Sequence, residues 1–118
     1  MKLNFIAFMV RNLENSVMFY QNLAGLQVVR RLNPGLGEIV FLANSEGETM
    51  LELGSFEHAE KIVTKGMMIS FFVEGNLEDL RKKALELGYA PSEIIDRSPK
   101  PKHFIVEDPD GIMVEFGS

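Results

Sequence analysis

Cysteine is absent from the 118-residue chain. That excludes disulfides, thiolate zinc sites and cysteine nucleophiles together, and it leaves a reducing compartment open. Basic residues are few, 12 Lys and Arg against 17 Asp and Glu, for a formal net charge of -5. A basic face of the kind that nucleic acid or an anionic membrane needs cannot be assembled at that balance. The short stretches Arg30-Arg31 and Lys100-Pro101-Lys102 therefore read as solvated strand edge or loop. Long apolar runs are lacking too. The N-terminal MKLNFIAFMVRN holds only a short run of alternating character, a strand rather than a signal peptide or a spanning helix. The expectation is a cytoplasmic protein without nucleic-acid or membrane partners.

What is present is the balance of a folded domain, 46% hydrophobic and 25% charged, with enough chain to bury one core. The most telling feature is a phrase written twice. Met50-Leu51-Glu52-Leu53-Gly54-Ser55 (MLELGS) returns as Met113-Val114-Glu115-Phe116-Gly117-Ser118 (MVEFGS), 63 residues later. The same shift lays FIAFMV on MISFFV, with Ile, Phe and Val identical at alternate positions. It also lays FLANSEGETMLELGS on FIVEDPDGIMVEFGS, with five of fifteen pairs identical. A duplication is the economical explanation.

Between the matched strands lies a matched helix in each half. Asn12 and Asn76 are positioned to cap helices whose apolar stripes are Leu13, Val17, Tyr20, Ala24 and Leu77, Leu80, Ala84, Leu87, with Gly25 and Gly88 as stops. Strand-like runs follow at 26–32, 38–43 and 49–53, and then at 93–96, 103–106 and 112–116. Asp108-Pro109-Asp110-Gly111 joins the last two as a hairpin. The expected fold is α+β, two βαβββ modules in a single domain over 1–118, with module 1 at 1–57, a linker at 58–65 and module 2 at 66–118. One helix covers one face of a sheet, so function belongs on the uncovered face. Strand alternation places Phe5, Ala7 and Met9 on that face, and likewise Met68, Ser70 and Phe72. Met50 with Glu52, and Met113 with Glu115, share it.

These residues carry a resemblance. Val10-Arg11-Asn12-Leu13-Glu14-Asn15-Ser16 followed by Phe19-Tyr20, then Leu23-Ala24-Gly25-Leu26, then Val106-Glu107-Asp108-Pro109-Asp110-Gly111 with Glu115 four residues on, resemble the vicinal-oxygen-chelate superfamily. That superfamily groups glyoxalase I, extradiol dioxygenases, and fosfomycin- and bleomycin-resistance proteins. The resemblance covers essentially the whole chain and implies paired βαβββ modules whose curled mixed sheets enclose a cavity. It also implies a ligand set, because metal-dependent glyoxalase-type members carry histidines on the first strand of each module and glutamates on the last. The glutamate positions match Glu52 and Glu115, whereas the histidine positions fall on Phe5 and Met68. Neither residue is a ligand for a hard metal, which disfavours a divalent cofactor. His103 shares a strand face with Ile105 and could join Glu52 and Glu115 as an unorthodox third ligand, or act as a general base; the bland alternative is a partly exposed strand-end histidine. His58 reads as a surface residue of the linker.

Three readings remain. The favoured one is a metal-independent binder of a small cationic aromatic or amphiphilic ligand, held by Phe5, Met9, Met50, Glu52, Met68, Phe72, His103, Met113 and Glu115. The second is a metal-dependent glyoxalase-type lyase rebuilt around Glu52, Glu115 and His103, which would then be its catalytic residues. The third is a scaffold whose open sheet face is filled by another chain. A homodimer is expected, since members of this superfamily often complete the cavity across chains.

Overall fold

The computed structural model describes all residues, 1–118, and the chain forms two compact units, Met1–Val63 and Thr64–Ser118. The first contains β1 (Phe5–Met9), α1 (Leu13–Met18) running into a π-helical turn (Phe19–Leu23), β2 (Gln27–Leu32), β3 (Gly37–Ala43) and β4 (Met50–Phe56). Its sheet has the order β1-β4-β3-β2, with β1 parallel to β4 and the other pairs antiparallel. The second contains β5 (Met68–Phe72), α2 (Leu77–Glu86), β6 (His103–Glu107) and β7 (Met113–Gly117), in a sheet of order β5-β7-β6. Here β5 is parallel to β7 and β6 antiparallel to it, so both sheets are mixed and neither closes on itself. No helix is long and apolar enough to cross a membrane.

The two-residue alternation of strands decides what is buried. In module 1, Phe8, Val10, Val40, Leu42, Leu51 and Leu53 point to one side and form the core with the helix. The helix starts where Asn12 accepts a hydrogen bond from the Asn15 N–H at 2.9 Å. Asn76 caps α2 in the same way, accepting from the Asp79 N–H at 2.8 Å. Replacing either asparagine by alanine removes that acceptor and should lower stability by about 1 kcal/mol, read as a shifted urea midpoint.

The apolar stripe of the first helix differs from the one a uniform 3.6-residue period gives. The π-helical turn holds one more residue per turn, so Phe19, Tyr20 and Leu23 are all buried beside Ser16 and Val17, while Leu13 and Ala24 are only half-buried. Tyr20 meets Phe19 edge-on at 4.9 Å and Phe8 of β1 at 6.3 Å. In α2, Leu77 and Ala84 are buried as the spacing predicts, but Leu87 is 40% exposed. It is the cap residue just past the last helical position, Glu86, and the chain turns away at once through Gly88 (φ 92), whose N–H bonds to the Leu85 carbonyl.

The strand expected at 93–96 is a single bridge, Ile95 to His103. Ser92 explains the interruption. Its backbone N–H donates to the Ile105 carbonyl at 2.8 Å, but its hydroxyl, not a carbonyl, accepts from the Ile105 N–H at 2.9 Å. A side chain has taken a ladder position, so the regular pairing does not propagate. Arg81 of α2 donates to the Ser92 carbonyl at 2.7 Å and so ties the helix to this segment. The stretch expected as a linker is fastened to module 1 for much of its length. Ile62 N–H donates to the Met9 carbonyl at 2.8 Å, and Arg11 Nη1 donates back to the Ile62 carbonyl at 2.9 Å. These bonds hold the segment at Ile62 against the C-terminal end of β1.

Candidate functional site

The face that the helix leaves uncovered carries the residues that alternation assigned to it. In β7, Val114 and Phe116 are buried on the core side, with Phe116 stacked on Phe71 and Phe104, while Met113 and Glu115 point the other way. In β4, Leu51 and Leu53 are buried, while Met50 and Glu52 are half-exposed on the opposite side. Across the first sheet Phe5 lies in register with Met50, and Ala7 with Glu52. Across the second, Met68 lies in register with Met113, and Ser70 with Glu115.

The two glutamates have different surroundings. Glu115 is only 7% exposed. Its Oε2 accepts a hydrogen bond from the Ser70 hydroxyl at 2.6 Å, and its Oε1 is ion-paired with the ammonium of Lys100, although no donor reaches that oxygen in good hydrogen-bond geometry. His103 Nε2 stands 3.8 Å from the same oxygen. Burial pushes the Glu115 carboxyl up, but Lys100, Ser70 and the neighbouring imidazole outweigh it, and the net shift is downward. Glu52 has an alanine, Ala7, where Glu115 has Ser70, and no ion pair includes it.

His103 is 6% exposed, not the partly exposed strand-end residue that its position after Lys102 suggests. Its Nδ1 lies 2.8 Å from the Pro101 carbonyl, which can only accept, so the proton is on Nδ1. Ser70, Phe72, Lys100, His103 and Glu115 line one pocket of about 300 Å³ on the second module. Phe5, Val29, Arg30, Phe41 and Met50 line another of about 520 Å³ on the first. Met9, Glu52, Met68 and Met113 line neither pocket. Met9 instead lies over Gly54, where an added Cβ would come within 2.6 Å of its methyl group. Met68 and Met113 are side by side and about two-fifths exposed, at 41% and 37%.

The donor set is a poor match to the divalent metal that glyoxalase-type chemistry implies. Phe5 occupies a first-strand position with an aromatic ring, set edge-on to Phe41 at 5.6 Å. Met68 occupies the other with a thioether, a soft donor unsuited to zinc, nickel or iron(II) beside carboxylates. Within module 2 the remaining pair, His103 and Glu115, supplies two donors, and the carboxylate is already neutralised by Lys100. No group of three or more His, Asp or Glu side chains is close enough together to hold a metal ion. Lys100 also revises the charge expected of this face, because it answers one of the two carboxylates that favoured a cationic ligand.

Lys100 was not visible as a site residue in the sequence, since a loop lysine has no periodicity to assign its direction. Ser70 was visible in part, because the repeat sets Ala7 against Ser70 on the glutamate-bearing face.

Comparison with known proteins agrees with this fold. Across its length the chain superposes on the trypanothione-dependent glyoxalase I of Leishmania major with a TM-score of 0.82 at 23% identity, covering 100% of this chain and 86% of that one. It is similar to TnmS3, an antibiotic-binding protein from Streptomyces sp. CB03234, with a TM-score of 0.77 at 17% identity over 99% and 94% of the two chains. An integron cassette protein from the mobile metagenome of a Halifax Harbour sewage outfall gives a TM-score of 0.76 at 25% identity over 98% and 97%. No curated protein matches the chain. The family model described as glyoxalase/bleomycin resistance protein/dioxygenase matches residues 2–116, and with the two mixed-sheet modules and the repeated glutamate strand it establishes that the chain belongs to that superfamily.

Proposed function

We propose that this protein binds a small aromatic or amphiphilic molecule without the help of a metal ion. The observation that carries this reading is the ammonium of Lys100 on the Glu115 carboxylate. A cation supplied by the chain stands beside a carboxylate of the kind that metal-dependent relatives offer to a metal, and Phe5 and Met68 stand at their histidine positions. Within each module's own pocket, apolar side chains then supply contact area, Phe5 and Met50 in the first and Phe72 in the second, and a few polar groups fix a ligand's orientation. TnmS3 shows that the fold is compatible with antibiotic binding, although at its identity the likeness extends to the fold alone. The proposal includes a homodimer in the cytoplasm; native mass spectrometry should find twice 13.3 kDa, and a monomer at micromolar concentration would remove the dimer from it.

Titration of the purified protein with Zn²⁺, Ni²⁺, Mn²⁺ or Fe²⁺ should give no tight 1:1 isotherm by calorimetry. A tight isotherm abolished by Glu115→Gln overturns the metal-independent reading. It would favour instead a lyase-type centre, for which the approach of His103 Nε2 to Glu115 Oε1 at 3.8 Å is the structural basis.

A further inference from the structure

The two adjacent arginines of β2 have opposite surroundings, and a single extra residue is the cause. In the pairing of β2 with β3, Val28 lies opposite Leu42 and Arg30 opposite Phe41, so Val29 is a bulge. Unbroken pairing would set Val29 against Phe41 and turn Arg30 to the core side, opposite Val40. The bulge turns Arg30 to the open face instead and brings it level with Phe41 and Glu52, which are themselves in register. Arg31 goes to the other face, where Nη1 pairs with Glu14 at 3.3 Å and Glu38 at 3.0 Å. No ion pair includes Arg30, and it lines the pocket of about 520 Å³ with the edge-to-face pair Phe5 and Phe41.

We propose that this pocket binds a small planar aromatic carboxylate, with Arg30 holding the carboxylate and Phe5 and Phe41 contacting the ring. A guanidinium presents a flat fork of N–H donors that matches a carboxylate in two parallel bonds. The aromatic pair offers a ring face and a ring edge beside it. The pocket volume falls in the range of small-ligand sites. The charge balance selects a monoanion. The single charge of a carboxylate is neutralised by the one guanidinium of Arg30, whereas a phosphate dianion would keep a second, unanswered negative charge beside Glu46 and incur the larger desolvation cost of a double charge. The inference rests on the small-molecule reading above and specifies the ligand class for module 1.

The test compares three probes of one shape, 2-naphthoate, 2-naphthylmethanol and 2-naphthylmethylammonium, by calorimetry at pH 7 and low salt. The protein is the full chain, its Arg30→Gln variant and its Arg31→Gln variant. The expected result is that naphthoate binds about tenfold more tightly than the neutral alcohol, as one charge-assisted contact gives. Arg30→Gln should remove that preference and leave the alcohol unchanged, while Arg31→Gln should preserve it. Preference for the ammonium probe, or naphthoate binding insensitive to Arg30→Gln, overturns the inference. If the alcohol still binds in that case, the small-molecule reading stands without it. Failure of all three probes to bind overturns both.

Discussion

Replacing Lys100 by methionine should lower stability by about 2 kcal/mol at pH 7, and the loss should shrink as the solution is made acid. Removing one partner of a buried ion pair costs about 3–5 kcal/mol, because the other charge is left in a poorly solvated place. Two features reduce the figure here. The Lys100 side chain is 49% exposed, so water already screens its end of the pair, and the Ser70 hydroxyl stays on Oε2 after the substitution. The pH dependence follows from the direction of the Glu115 shift. Its folded-state pKa lies below the ordinary carboxylate value, so the ionised pair contributes stability above that ordinary value, about 4.3, and the contribution is lost as pH falls through the folded value. In the variant the burial of Glu115 acts with less opposition and its pKa moves up. Urea denaturation of both proteins at pH 7 and pH 3 should therefore show a wide gap and then a narrow one. A second cycle in a Glu115→Gln background separates charge from packing, since Lys100→Met should be nearly neutral there. Equal stabilities at pH 7, or a gap of the same width at pH 3, would show that the pair does not hold the pocket together.

That pocket also shows how far residue pattern reaches. The period of two in FIAFMV, MLELGS and their repeats located the core side of both sheets, because a strand has only two faces and one must be apolar. Asparagine caps and glycine stops marked the helices because their chemistry is local. The failures have local causes of another kind. The π-helical turn moved the buried stripe onto Phe19 and Leu23, and no residue type announces such a turn. Ser92 broke a strand by donating and accepting where only backbone was expected. Val29 bulged and so chose which of two adjacent arginines turns to the open face of the sheet; both are equally polar, and composition does not distinguish them. The position of Lys100 on Glu115 depends on the path of a loop rather than on a repeat. Both glutamates were legible because they sit in strands; of the partners of Glu115, Lys100 was not, because it comes from a loop, and Ser70 was so only in part, as a single Ala-to-Ser difference between the halves.

Asp108→Ala should lower stability by about 3 kcal/mol, the larger of these effects. Asp108 opens the Asp-Pro-Asp-Gly turn between β6 and β7 and is only 5% exposed. Its Oδ1 accepts from the Asp110 N–H at 2.8 Å and from the Ile112 N–H at 2.9 Å. The backbone closes the same turn, with Asp108 N–H donating to the Ile112 carbonyl at 2.9 Å and Gly111 N–H to the Asp108 carbonyl at 3.0 Å. Gly111, at φ 84, adopts a conformation that residues with a Cβ seldom take. Without the carboxylate, the N–H of fully buried Ile112 has no solvent to turn to, while that of half-buried Asp110 can recover water. One bond to a charged acceptor is worth about 1.5–3 kcal/mol, so losing one outright and part of another gives the figure. Asp108→Asn keeps an oxygen in place without its charge and should cost about 1 kcal/mol. Denaturant midpoints should thus fall in the order wild type, Asn, Ala. An alanine variant as stable as the wild type, or an asparagine variant as weak as alanine, would rule out the charged turn as the hairpin's anchor. The consequence extends to the site, because Ile112 leads directly into β7 and fixes the register that sets Glu115 opposite Ser70. Loosening the turn should therefore weaken the pocket of module 2 before it disturbs module 1.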